Sequence, residues 1–465
     1  MSKDIYIKST LAYCKSCGKS EQAMIVSRNG SVYLDRLCPA KGKQSTIIAR
    51  SLEWYLERVL AGLSATYPKE PKPSQKGCPH DCGLCERHTN KALLPIFSIT
   101  NDCNLDCPKC FTYNRQDKKY YKSVEETRQI LEKLVAKNDN IQYIDLTGGE
   151  PTLHPNLFEI LDLCKSFGIG RIMMNTNGLR IAESEELARK IKDSGVWVVL
   201  SFDTLSPSAS LRLYGKDLVD IKLRTLAMLE KYDIPTTLLA VAAKEINERE
   251  IAGFCAENLK KDFIRSITIQ NFAFTGQNGK DFSPREHLTM DDVEQALIDT
   301  GNFSKHDFFA PSSQHPLCYS SAYYIVSGGF AVPLTKIFSK KALARMTSDS
   351  YSLNPENDMS KMFLDGVNNL WAEGESPLVI KALRGFIERV FPKDRSVSDT
   401  DRKSFLERKI KAILIHPHMD EDNFDLERTA RCGDVVPDEN GNLVPACAYN
   451  LIYRQLDERF WKENK

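Results

Sequence analysis

The sequence predicts an α/β protein built on a partial, open (β/α)6 barrel, and three observations carry that expectation. Between Leu93 and about Gly276, near-continuous apolar runs alternate with amphipathic segments, the pattern of parallel strands covered by helices. Six such runs are present, fewer than a closed eight-stranded barrel needs. The residues able to do chemistry fall just after those runs, where the C-terminal ends of barrel strands would place them.

The strands expected in order are "LLPIFSIT", "NIQYIDLT", "GRIMMNT", "VWVVLSF", "IPTTLLAVA" and "RSITIQNFAF". Between them lie helices such as "SVEETRQILEKLVAKN", where Ser123 and Glu126 form a capping box ahead of Ile130, Leu131 and Leu134. "NLFEILDLCKSFG" and "LVDIKLRTLAMLEKY" read the same way. Cys164 and Cys255 sit on apolar helical stripes and are expected as buried core thiols.

Three further regions flank this unit. Residues 1–65 carry "YCKSCGK", "GSVYLD" and "RLCPAKGK", a metal-knuckle hairpin, followed by the helical "SLEWYLERVLAGL". Residues 66–92 combine the Pro- and Lys-rich linker "YPKEPKPSQKG" with the cysteine loop "GCPHDCGLCERH". The barrel is assigned to 93–280. From 281 to 465 the period weakens into short pieces such as "TMDDVEQALID" and "AYYIVSGGFAVPL", ending in a loop-rich, cysteine-bearing segment.

Composition narrows the function. Lys+Arg at 63 against Asp+Glu at 62 leaves a formal charge of +1, so no global field favours nucleic acid. "MSKDIYIKST" lacks an apolar signal core and no uncharged run is long enough to span a bilayer, which predicts a cytoplasmic protein still able to meet a lipid surface peripherally. Fourteen cysteines in a reducing compartment, clustered as these are, speak for metal rather than disulfides. Serine-triad, phosphate-loop and dinucleotide patterns are absent from the sequence.

The sharpest motif is "NDCNLDCPKCF", with Cys103, Cys107 and Cys110 directly after the first strand. A closed zinc site or an ordinary iron–sulfur cluster wants four ligands, so three at one strand end leave a position open. After the second strand comes Gly148-Gly149-Glu150-Pro151, after the third Asn175-Thr176-Asn177-Gly178, and the fourth ends at Ser201 and Asp203. A zinc knuckle with a remote fourth cysteine would leave the glycine–glutamate turn unexplained.

This constellation resembles the radical S-adenosylmethionine (radical SAM) superfamily across the whole βα region. The resemblance implies that Cys103, Cys107 and Cys110 bind a four-iron, four-sulfur cluster whose fourth iron takes S-adenosylmethionine. It implies that the Gly148–Pro151 backbone and Glu150 receive the methionine ammonium, the two glycines allowing close approach. Asn175, Thr176, Asn177, Ser201 and Asp203 are then the contacts to the ribose. The chain departs from the family at Lys109, where an aromatic residue is usual.

More narrowly, "KGCPHDCGLCERH" followed by "ITNDCNLDCPKCF", with "QNFAFTGQ", "SQHPLC" and "HPHMDEDNFDLERTARC…GNLVPACAYN", is similar to the branch containing archaeal tetraether lipid synthase and the dihydro-hydroxymethylpterin methyltransferases. That likeness implies an auxiliary iron–sulfur cluster on Cys78, Cys82 and Cys85 with one later cysteine. Cys318, Cys432 and Cys447 are the candidates for that ligand and for a second auxiliary site. It also implies a mononuclear zinc or iron ion on Cys14, Cys17 and Cys38. Gly433 stands where related chains often have a second cysteine, and Ala40 and Lys41 stand where they often have histidine.

The implied enzyme takes an electron from a ferredoxin or flavodoxin, forms a 5′-deoxyadenosyl radical and abstracts hydrogen from an unactivated carbon of a small molecule or lipid. Three outcomes are expected in this order: C–C coupling of acyl chains, methyl transfer to a pterin or similar acceptor, and sulfur insertion from an auxiliary cluster. A non-catalytic metal-binding interaction protein is the expectation of another class. His154 is expected either to line the site or to cap or tie a loop, and His315, His416 and His418 are candidate pocket residues.

Overall fold

The computed structural model describes residues 4–112, 118–138, 141–276, 282, 285–348, 359–392 and 396–457. Its N-terminal unit is a four-stranded antiparallel meander, β1 (Ile5–Cys14), β2 (Lys19–Arg28), β3 (Ser31–Cys38) and β4 (Gly42–Ala49). "GSVYLD" lies in β3 as expected, and three more strands surround it, so the knuckle is a sheet rather than a hairpin. Helix Leu52–Leu60 follows, N-capped by the Ser51 hydroxyl.

This meander is bolted to the rest of the chain. Lys8 pairs with Glu427 at 2.5 Å, Thr10 donates to Asp425 at 2.9 Å, and Arg58 meets Glu294 in a buried pair. The segment read as a linker is pinned at its far end, where Asn90 is fully buried and Thr89 N donates to Ala430 O at 2.8 Å.

The barrel strands are β5 (Leu94–Thr100), β6 (Tyr143–Gly148), β7 (Arg171–Thr176), β8 (Trp197–Ser201), β9 (Thr236–Ala242) and β10 (Ile264–Asn271). Each pairs in parallel with the next, matching the six expected runs. Covering helices form where the periodicity places them. Helix Val124–Lys137 carries the full Ser123/Glu126 capping box and buries Ile130, Leu131 and Leu134. Cys164 and Cys255 are fully buried in the main core, as predicted for packed thiols.

The region after residue 281 does not stand apart from the barrel. β11 (Ser320–Ser327), β12 (Phe330–Pro333), β13 (Ile410–Ile415), β14 (Asp434–Pro437) and β15 (Leu443–Pro445) extend its sheet to eleven strands. β13 runs parallel beside β10, and the β11–β12 hairpin continues that edge antiparallel. On the other edge β14 runs parallel to β5 and carries β15. The outermost strands, β12 and β15, do not meet, so the barrel is open. The boundary placed at 280/281 lies outside the described residues. A second core, with Phe363, Leu383 and Phe386, packs helices Met359–Ala372 and Pro377–Val390 onto the β11–β12 side.

Candidate active site

Inward positions alternate along every barrel strand, and together they enclose a cavity of about 430 Å³. The cavity reaches from strand starts at Tyr143, Arg171 and Trp197 to strand ends at Gly148, Thr176 and Ser201, so it runs the length of the barrel. Its wall is largely apolar, with Leu94, Ile96, Met173, Val199, Leu239 and Leu414.

At the upper end, Cys103, Cys107 and Cys110 all border this cavity. They leave β5 in one loop, Cys103 and Cys107 resting against the apolar cluster of Leu105, Leu213, Tyr214 and Phe274. Burial pushes the Cys103 thiol well up and the Cys107 thiol up to about 12. Lys109 and Lys222 act the other way on Cys107, supplying the positive charge that thiolates here would need. Three half-buried thiols with two cations beside them and one side open to a cavity are a donor set suited to an iron–sulfur cluster with an exchangeable position.

The Gly-Gly turn has a different physical reason from the one the sequence offered. A Cβ on Gly148 would lie 2.1 Å from Thr100 O, and one on Gly149 2.1 Å from Asp102 O. Gly149 N donates to Thr100 O and Glu150 N to Asp102 O, each at 2.7 Å. The glycines therefore let this turn lock onto the cysteine loop, while Gly148 and Gly149 still border the cavity.

Glu150 is buried behind the wall and its carboxylate is heavily engaged. It accepts from Thr152 N at 3.1 Å, the Thr152 hydroxyl at 2.6 Å, the Thr176 hydroxyl at 2.7 Å and Asn177 N at 2.7 Å. It thereby fixes the end of β7, where Asn175, Thr176 and Asn177 line the cavity. Of the remaining expected contacts, Ser201 reaches the wall, whereas Pro151 and Asp203 sit behind it. Asp203 is held by Lys109, whose Nζ also donates to Ser201 Oγ at 3.2 Å and lies 4.5 Å from the Tyr214 ring centroid. Lys109 thus borders the cavity while it braces the end of β8.

Sequence reasoning missed Lys222 and Tyr214. Lys222 is buried on the apolar stripe with Thr225, Leu226 and Leu229, and its Nζ donates to Asn177 O at 2.6 Å and Ser201 O at 2.5 Å. Burial lowers this amine to about 8. A lysine inside an otherwise apolar stripe was the available signal.

The other cysteines fall into three groups. Cys14, Cys17 and Cys38 bring their sulfurs within 4.8 Å of one another, Cys38 lying 3.1 Å from Cys14 and 3.2 Å from Cys17. Hydrogen bonding from Cys14 lowers Cys38 to about 7, while burial raises Cys14 to about 11. Such closeness suits a single ion. Cys78, Cys82 and Cys85 interact with one another, and Tyr453 OH accepts from Cys82 N at 3.2 Å. Cys318, Cys432 and Cys447, expected to be shared between two sites, lie within electrostatic reach of each other. Arg428 Nε donates to Cys318 Sγ at 3.4 Å.

His416 and His418 border the cavity beside this last group. His154 does not: its Nε2 contacts Lys122 O at 2.9 Å, a loop tie. His315 is buried, with Leu317 N donating to its Nδ1 at 3.2 Å. His287, Asp420 and Asp422 also come within 4.8 Å of one another, but Arg285 takes Asp422 at 3.0 Å, making an ion-pair network.

The chain is similar to several known proteins. Residues 97–257 match the radical SAM superfamily, and residues 6–50 match the HMPTM N-terminal zinc ribbon domain. A 7,8-dihydro-6-hydroxymethylpterin dimethyltransferase of Methanocaldococcus jannaschii is 26% identical, the match covering 97% of this chain and 95% of that protein. A probable GTP 3',8-cyclase of Thermococcus kodakarensis is 32% identical over 33% of this chain and 49% of its own length. The crystal structure of Streptococcus suis SuiB bound to S-adenosylmethionine aligns with 20% identity and a TM-score of 0.37, covering 46% of this chain and 47% of that one.

Proposed function

We propose that this chain, which matches the radical SAM superfamily over residues 97–257, is a radical SAM enzyme that joins unactivated carbons of long apolar chains. The observation that carries this reading is the cavity itself, largely apolar along its length and running from the cysteine triplet to the far ends of the strands, where Arg171, Arg265 and Glu407 line it. A compact heterocycle needs no such bore; a hydrocarbon chain fills it and is held there by removal of apolar surface from water.

A four-iron cluster on Cys103, Cys107 and Cys110, with S-adenosylmethionine bound, would supply a 5′-deoxyadenosyl radical at the upper end. The chain's own residues do the rest. Asn175, Thr176, Asn177 and Ser201 hold the ribose, and Glu150 keeps Thr176 and Asn177 in place. Lys222 fixes the carbonyls of Asn177 and Ser201 from behind. The apolar wall excludes water and keeps the target C–H within reach of the radical carbon. The electron comes from a ferredoxin- or flavodoxin-like donor. Among the described residues no helix is long and apolar enough to cross a membrane, so a lipid substrate would be met at a surface.

One observation favours a second reading, methyl transfer to a pterin. Asp145 Oδ1 and Asn175 Oδ1 are buried acceptors without a partner, on residues that line the cavity midway down. Two such acceptors match the N–H edge of a heterocycle, and the relative from M. jannaschii is named for a pterin substrate.

Anaerobically reconstituted enzyme, given S-adenosylmethionine, dithionite and either an acyl phospholipid or 6-hydroxymethyl-dihydropterin, separates the two. Coupled chains lacking one hydrogen from each joined carbon support the first reading. A methylated pterin with untouched lipid overturns it.

A further inference from the structure

We infer that the far end of the bore binds one oxyanion, a phosphate or carboxylate that the substrate carries remote from its reacting carbon, with Arg265 as its main cation and Arg171 as its second. The inference rests on the reading that a chain fills the bore. Both arginines line the cavity where the strands begin, Arg171 as the first residue of β7 and Arg265 near the start of β10. Trp197 opens the intervening β8. The Arg171 guanidinium carbon lies 3.6 Å from its ring centroid, and that of Arg265 lies 5.9 Å away. A guanidinium laid over an aromatic ring still presents its N–H edge to an oxyanion.

An irregularity of the sheet aims Arg265 into the cavity. Ile264 pairs with Thr236 and Ser266 with Thr237, so Arg265 is an extra residue of β10 with no position opposite it on β9. A bulge of this kind breaks the alternation and re-aims a side chain. Arg265 and Ser266 accordingly both border the cavity although they are consecutive. The arginine is only 7% exposed, and its Nε has no hydrogen-bond partner. Its Nη1 is taken by a backbone carbonyl, Asp262 O at 2.6 Å. Burial, with the Arg408 charge beside it, lowers this guanidinium to about 10, which leaves it charged at neutral pH. A buried cation with an unanswered N–H in a cavity wall is a site short of an anion.

The carboxylates nearby are engaged elsewhere. Helix Asp399–Lys409 brings Glu407 to Arg171, while its Arg408 donates to Asp233 Oδ1 at 2.9 Å and its Lys409 to Asp262 Oδ1 at 2.8 Å. Glu407 lines the cavity, so it sits where an incoming oxyanion would meet Arg171. It shows on one guanidinium the contact that the other lacks, and it competes with a ligand that would bridge the two. Further along the same strands the wall turns apolar at Val199, Leu239 and Leu414. A chain whose anion is held by Arg265 therefore runs along that wall toward the cysteine triplet.

The test is calorimetric titration of the anaerobically reconstituted enzyme with dodecyl phosphate, dodecanol and inorganic phosphate, in wild type, Arg265→Gln and Glu407→Gln. Dodecyl phosphate should bind about tenfold more tightly than dodecanol, the effect of one charge-assisted hydrogen bond. Arg265→Gln should remove that preference and leave dodecanol binding unchanged. Glu407→Gln should enlarge the preference about threefold by uncovering Arg171. A preference that survives in Arg265→Gln overturns the assignment, and inorganic phosphate binding as tightly as dodecyl phosphate overturns the substrate as its source. Should Arg265→Gln bind neither amphiphile, Glu407→Gln decides, and an unchanged preference there overturns the site. If wild type binds neither amphiphile, the chain reading is what fails. The oxyanion site then rests on inorganic phosphate: binding that Arg265→Gln abolishes supports it, and any other result overturns it.

Discussion

Two cysteine triplets of this chain, Cys14/Cys17/Cys38 and Cys103/Cys107/Cys110, look alike in sequence and differ in every structural respect. The first is closed on itself: its sulfurs are in contact, and strand ends of a small sheet hold them. The second hangs from one loop at the rim of a cavity, and among the described residues it is not one of the groups whose ligand atoms close to within 4.8 Å. A triplet with its neighbours behind it and space in front offers a binding position. A triplet wrapped by a sheet offers cross-linking.

The largest effect that would break this comparison concerns catalysis. Cys107→Ala should bring deoxyadenosine formation below detection, whereas Cys14→Ser should leave it within about threefold of wild type, since one removes a reacting centre and the other a brace. Equal losses measured in the same dithionite assay would erase the distinction.

Next in size is the knuckle metal. Stripping it with a chelator should destabilise β1–β4 by about 5 kcal/mol, because binding energy at a structural ion is folding energy. Thermal unfolding and metal content measured together would check this, with release of one ion per chain expected before the main transition.

Asp145 sharpens the contrast from the cavity side. Burial, with the Asp434 charge beside it, raises its carboxyl to about 7. The folded state therefore favours the neutral form, and stability falls as pH rises from the ordinary aspartate range through 7. At about 1.4 kcal/mol per unit this amounts to ~4 kcal/mol. Asp145→Asn should be more stable than wild type at pH 8 and converge with it near pH 4 in denaturant titrations. A constant gap would mean that Asp145 is ionised in the fold.

Smaller still, Glu150→Gln should cost about 2 kcal/mol by weakening its charge-assisted hydrogen bonds to Thr176 and Asn177, with a higher KM for S-adenosylmethionine. Cys164→Ala should cost about 1 kcal/mol and leave every metal count unchanged, as befits a packed thiol.

The barrel was legible because its strands are long, apolar and regularly spaced, and each of the six runs lies on its strand to within a few residues. The later strands were not. β14 has four residues and β15 three, too short for a period, and β14 finds its partner in β5 near the other end of the chain. β2, "KSEQAMIVSR", opens on a polar stretch that hides its alternation. At the site, motif spacing located the cysteine loop and the strand ends. It could not tell that Glu150 and Asp203 face inward to the protein, because that depends on where Thr176, Asn177 and Lys109 arrive in space.

The pairing of β14 with β5 carries a consequence for how the molecule is made. The outer edge of the first barrel strand waits for a partner more than three hundred residues later in the chain, so a ribosome must release residues through β14 before that edge is covered. Until then the edge is open to pairing with other chains. The late arrival of β14 sets a window in which folding competes with aggregation.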